Sequence, residues 1–70
     1  MEFTTIFLVW VNDNVINVTT TRELALRIAD KYIQEHREGQ WLEAYSGRWY
    51  QRDGPVARLW IEERILEGGQ

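Results

Sequence analysis

The 70-residue sequence contains no cysteine, one histidine, one proline and a single lysine. Each scarcity excludes something. Without cysteine there are no disulfides, no thiolate metal sites and no thiol nucleophile. With His36 alone, a histidine cage within one chain is excluded as well. No metal and no cofactor are expected. The longest apolar run, residues 6–11 (IFLVWV), is far short of the roughly 20 residues a membrane-spanning helix needs. No basic residue precedes it and no small-residue cleavage site follows it, so a signal peptide is not expected. These features point to a soluble protein with no membrane association, and the lack of cysteine fits a cytoplasmic setting. Glycine-rich phosphate loops and a GxSxG nucleophile motif are missing too. Ser46 and His36 are the only hydroxyl–imidazole pair near a turn and a helix end, and nothing local couples them. The expectation is a protein that is not an enzyme.

Eleven acidic residues against eight basic ones give a net charge of −3. A whole-chain basic footprint for nucleic acid is therefore absent. What is plentiful is aromatic surface: four Trp, three Tyr and two Phe. A chain this short buries a marginal core and needs aromatic packing, self-association or both to compensate. The expected organisation is one domain over 1–70, with 68–70 frayed.

Residues 3–11 (FTTIFLVWV) are β-branched and aromatic, which favours a strand. Ile6, Leu8 and Trp10 lie on one face of it, and Phe7, Val9 and Val11 on the other. Both faces being apolar, the strand should be central and covered on both sides. Asn12-Asp13-Asn14 then marks a tight turn into a second strand, 15–18. Thr20 and Glu23 have capping-box spacing, with Thr19 and Thr21 as competing caps. Ala25, Ile28, Ala29, Tyr32, Ile33 and His36 recur at helical spacing, with Gly39 as the expected stop and His36 and Arg37 in the last turn. Glu23 and Arg27 stand in the favoured i,i+4 order. Residues 41–45 and 48–52 read as strands around Ser46-Gly47, followed by a turn at Asp53-Gly54-Pro55. Residues 56–66 (VARLWIEERIL) suit a strand or a helix, and the strand is favoured. The fold class expected is α+β: a small antiparallel sheet in the order β-β-α-β-β, with one helix packed on one face.

One helix cannot cover both sides of a sheet. If residues 56–66 form a strand, the second apolar face must be covered by another copy of the chain or by a partner. Homo-oligomerisation or a dedicated binding face follows.

The stretch WLEAYSGRWYQRDGP, residues 41–55, concentrates aromatics and arginine, the composition of interface hot spots. Strand alternation places Arg48, Tyr50 and Arg52 on one side and Trp49 and Gln51 on the other. Arg48, Tyr50, Arg52, Trp60 and Trp41 are the candidate partner-binding residues. An alternative assigns Trp41, Trp49 and Trp60 to the core, with Tyr50 and the arginines covering it. Glu62 and Glu63 point to opposite faces of a strand and form no acid/base dyad, whereas Glu62 and Arg64 share a face as a solvated pair.

The order VWVND, VINVT, TRELALRIADKYIQEH, WIEERIL resembles small phage-encoded and actinobacterial proteins built as a hairpin, a helix and closing strands. The resemblance implies a cytosolic accessory protein acting by binding a host or phage protein. The function expected is a small protein-interaction module, a modulator or inhibitor of a host protein that also self-associates. The alternative is a nucleic-acid-binding protein using the aromatic–arginine face around 48–52, which the net charge disfavours.

Overall fold

A computed structural model of the chain describes residues 2–68. Five strands and one helix follow in the order β1 (Glu2–Val11), β2 (Asn14–Thr19), α1 (Arg22–Glu35), β3 (Gln40–Tyr45), β4 (Arg48–Arg52) and β5 (Leu59–Gly68). The strands form one sheet, ordered β2-β1-β5-β4-β3, with every neighbouring pair antiparallel. The α+β class with a single helix on one face is what the sequence predicts. Residues 59–68 are a strand, which resolves the ambiguity of the last segment. The turn at Asp53–Pro55 is the start of a longer connection, 53–58, and not a tight hairpin. Gly68, expected to fray, pairs with Glu2; Gly69 and Gln70 lie outside the described residues.

The β1–β2 turn is closed by Asn12 in the left-handed region (φ 54°), which asparagine tolerates better than most residues. Asn12 also anchors the 53–58 connection. Its Oδ1 accepts hydrogen bonds from the amides of Ala57 at 2.8 Å and Arg58 at 3.3 Å, and its own amide donates to the Arg58 carbonyl at 2.8 Å. Asp13 adds an exposed ion pair with Arg58 at 3.4 Å.

The helix cap is Thr21, not Thr20: its Oγ1 accepts from the Leu24 amide at 3.2 Å. The third residue after Thr21 is Leu24, so the reciprocal glutamate arm of a capping box is missing, although Glu23 still places an acid in the first turn. Glu23 and Arg27 do not form an ion pair in the structure; among the described residues the pairs are Arg58–Asp13 and Arg64–Glu62. The helix ends at Glu35 with His36 as its C-cap, before Gly39 and with no basic residue in the last turn. Gly39 serves another purpose: a Cβ there would lie 2.7 Å from the Arg52 carbonyl oxygen and 2.9 Å from the Gly54 backbone. It lets the start of β3 pass against the end of β4.

The core lies between the helix and one face of the sheet. Val9 and Val11 from β1, Leu59 from β5 and Val56 from the connection meet Ala25 and Ala29 of the helix. Phe7, Ile28, Tyr32, Ile33, Trp41, Trp49 and Ile61 pack around them, half-buried. The two alanines bring the helix axis close to the sheet. β1 is interior, as its two apolar faces predict, but it is covered by the helix on one side only. With residues 59–68 a strand, no element of the described residues covers the other side of β1, the case in which the sequence reading looks to another copy or a partner for cover.

Candidate partner-binding surface

The register of the strands assembles the uncovered face. Trp10 stands opposite Trp60, Leu8 opposite Glu62 and Ile6 opposite Arg64 across β1 and β5. Arg48 stands opposite Trp60 across β4 and β5, Tyr50 opposite Leu42 and Arg48 opposite Tyr45 across β3 and β4. Val18 and Val15 of β2 flank Leu8 and Trp10. Directly opposed residues share a face, so all of these side chains project away from the helix.

At the centre, the Trp10 and Trp60 rings stack with centroids 5.6 Å apart and planes 12° from parallel. The Arg48 guanidinium lies 5.0 Å from the Trp60 ring centroid and 5.5 Å from that of Tyr45. This cation–π arrangement holds an arginine flat against aromatic carbon. Tyr45 is 65% exposed and Tyr50 38%. Trp60 Nε1 is buried and has no hydrogen-bond partner among the described residues.

Beside the stack, Trp10 Nε1 donates to Glu62 Oε1 at 2.9 Å. Arg64 closes on the same carboxylate through Nη2 at 3.0 Å to both oxygens and Nε at 3.2 Å to Oε2. The Trp10 hydrogen bond, then the Arg64 hydrogen bonds and charge, hold the Glu62 carboxyl below its ordinary pKa against the opposing effect of desolvation. Glu62 is thereby a fixed anion that orients Trp10 and absorbs the charge of Arg64. Arg48 and Arg52 have no acidic partner in the structure among the described residues.

Four of the sequence-predicted residues, Arg48, Tyr50, Arg52 and Trp60, are gathered on this face. Trp41 is not among them. It lies on the helix side, edge-on to Tyr32 with ring centroids 6.3 Å apart, and its Nε1 donates to the His36 carbonyl. Trp49, opposite Leu59, packs on the same side. Of the three tryptophans assigned to the core in the alternative reading, Trp41 and Trp49 are there and Trp60 is not. Gln51 shares that side with Trp49, as expected, and its burial leaves neither end of its amide unmatched: Nε2 donates to the His36 carbonyl at 3.1 Å and Oε1 accepts from the Val56 amide at 3.0 Å.

Sequence reasoning missed Trp10, Leu42 and Tyr45 as members of the face. The shared parity of Ile6, Leu8 and Trp10 was visible; the register that sets Trp10 against Trp60 was not. His36 and Ser46 stand at opposite ends of the β3–β4 hairpin. The His36 carbonyl is tied to Trp41 and Gln51, and its ring stacks on Tyr32 at 3.9 Å, whereas Ser46 is in the far turn. No pocket opens among the described residues, and none of their helices is long and apolar enough to cross a membrane. No protein-family model, no curated protein and no solved structure matches this chain.

Proposed function

We propose that the chain is a small non-enzymatic interaction module whose open sheet face binds a protein partner. The observation that carries this reading is the Trp10–Trp60 stack, framed by Leu42, Tyr45 and Tyr50 and capped by Arg48, on a face that no element of the described residues covers. Aromatic rings and arginine at the centre of a half-desolvated patch are the makings of a binding hot spot. The unpaired Arg48 and Arg52, against a chain of net charge −3, favour a partner that presents carboxylates beside apolar side chains. The role of a phage-type accessory protein acting on a host protein agrees with this, as does a cytoplasmic site of action.

The test is affinity capture from the native host followed by reconstitution with the purified candidate. Tyr50→Ala and Arg48→Ala should each weaken the reconstituted complex while leaving thermal unfolding unchanged, and Arg27→Ala, on the helix, should leave it intact. Equal binding by wild type and the face variants would remove this reading.

The stacking of Arg48 between Tyr45 and Trp60 also supports a second reading, single-stranded nucleic acid, whose bases stack on rings while arginine meets phosphate. Phosphate-driven binding weakens steeply with salt. Titration of a labelled single-stranded oligonucleotide at low ionic strength decides it: no binding there eliminates this alternative.

A further inference from the structure

We propose that two copies of this chain associate through the outer edge of residues 2–6, pairing antiparallel about a two-fold axis at Thr4. This goes beyond the partner-binding reading above and leaves the open face free for that partner.

The observation is a projecting ribbon. β1 and β5 pair along their whole length, from Glu2↔Gly68 to Val11↔Leu59. Their flanking strands do not follow. β2 begins its pairing at Phe7↔Thr19, and β4 reaches only Leu59 and Trp60. Residues 2–6 and 62–68 therefore form a two-stranded extension, which lengthens the molecule to 46 Å against 20 and 19 Å in the other directions. An isolated two-stranded ribbon is marginal in water, and three or more strands with an apolar face are needed for independent stability. This ribbon also exposes apolar side chains on both faces: Phe3 at 63%, Ile65 at 61% and Leu66 at 44%.

The four exposed edges differ. Native edges are blunted by charge, proline or a bulge. The β2 edge has a register shift against Val9/Trp10, and the β3 edge has one at Glu43/Tyr45 and carries a charge. The free edge of β5 carries Glu62, Glu63, Arg64 and Glu67. The edge of β1 from Phe3 to Ile6 has no charge, no proline and no bulge, and its sequence, FTTI, is β-branched and aromatic.

The geometry also selects one register. A strand pairs with its own copy antiparallel across a two-fold, and the register can move only in steps of two without turning the faces over. With Thr4 on the axis, Phe3 opposes the partner's Thr5, Glu2 opposes the partner's Ile6, and no like charges meet. A step in one direction brings the partner against Phe7, where Thr19 of β2 already sits. A step in the other direction leaves only residues 2–4 paired. The centred register fills the whole gap and converts two ribbons into a four-stranded antiparallel arm, β5-β1-β1-β5, with Phe3 lodged beside the partner's Thr5 and Ile65.

Light scattering of the full chain across concentration, with Thr4 variants, tests this. Wild type should reach twice the 8.4 kDa chain mass. Thr4→Glu and Thr4→Lys should each halve the mass while retaining wild-type circular dichroism, because Thr4 is exposed. Mixing the two should restore the dimer, since residue 4 faces its own counterpart. In a chain without cysteine, oxidised Thr4→Cys should cross-link between copies and Glu43→Cys should not, because opposed strand residues lie within disulfide reach. A wild-type monomer at all concentrations overturns the proposal. So does a dimer indifferent to Thr4→Glu, which would assign self-association to the open face instead; Tyr50→Ala separates that case by dissolving the dimer only then.

Discussion

The two faces of the sheet are built from the same kind of residue and end in different states. On the helix side, Val9 and Leu59 are fully buried under Ala25 and Ala29. Polar groups there are matched, as the Gln51 amide and the Trp41 indole show. On the far side, Leu8 is buried among its neighbours, but Trp10, Trp60 and Leu42 are only half-buried and Tyr45 and Val18 lie open. Its most central indole, Trp60, has no acceptor for its N–H among the described residues, the kind of orphan that native interiors seldom keep. The covered face is finished within the chain. The open face has no element of the described residues over it, and that contrast is the basis of the proposed function.

Variants can break the comparison, beginning with the covered face. Leu59→Ala should cost about 3 kcal/mol, since it leaves a cavity against the helix; urea denaturation should show the loss, and a cost below about 1 kcal/mol would deny that this side is the core. Gln51→Leu should cost about 2 kcal/mol, because the Val56 amide loses its acceptor and the His36 carbonyl a donor. Its thermal melt is the measurement. Asn12→Ala should cost about 1–2 kcal/mol through the loss of a left-handed residue and of its bonds to the 53–58 connection, and faster amide exchange at Ala57 should accompany it.

On the open face the same treatment should produce a mismatch between stability and binding. Arg48→Ala and Arg52→Ala should change stability by less than about 1 kcal/mol, the scale of an exposed cation–π contact or less, while partner affinity falls. If both unfold the protein, the face is structural and the contrast disappears.

The smallest effect concerns pH. The Glu62 carboxyl is held below its usual range by Trp10 and Arg64, so it favours the folded state at pH values above the ordinary carboxylate range. That contribution is lost as pH falls through the lowered folded value. Urea midpoints of wild type should therefore decline more than those of Glu62→Gln on acidification. Parallel curves for the two proteins would show that the indole–carboxylate–guanidinium cluster has no hold on the fold.

Much of this was legible in the residues because it is local. The strand parity of Arg48, Tyr50 and Arg52 against Trp49 and Gln51, the helical stripe of Ala25 and Ala29, and the Glu62–Arg64 pair each depend on spacings of two to four residues. The errors were local competitions with near-equal candidates, such as Thr21 over Thr20 for the cap. Gly39 was misread for a different reason: its demand comes from Arg52 and Gly54, remote in sequence. Trp41 was misplaced because an aromatic-rich segment does not announce which parity faces the helix.

The sequence by itself determined that one helix and several strands must form, and that a single helix leaves an apolar face over. Periodicity, turn chemistry and chain length suffice for that. Only the tertiary structure decided which tryptophans belong to which face, that Trp10 meets Trp60, and that β1 and β5 run on past their neighbours into a ribbon. Those outcomes depend on strand order and register, which arise from contacts between residues some fifty positions apart, such as Trp10 and Trp60, and no local pattern encodes them.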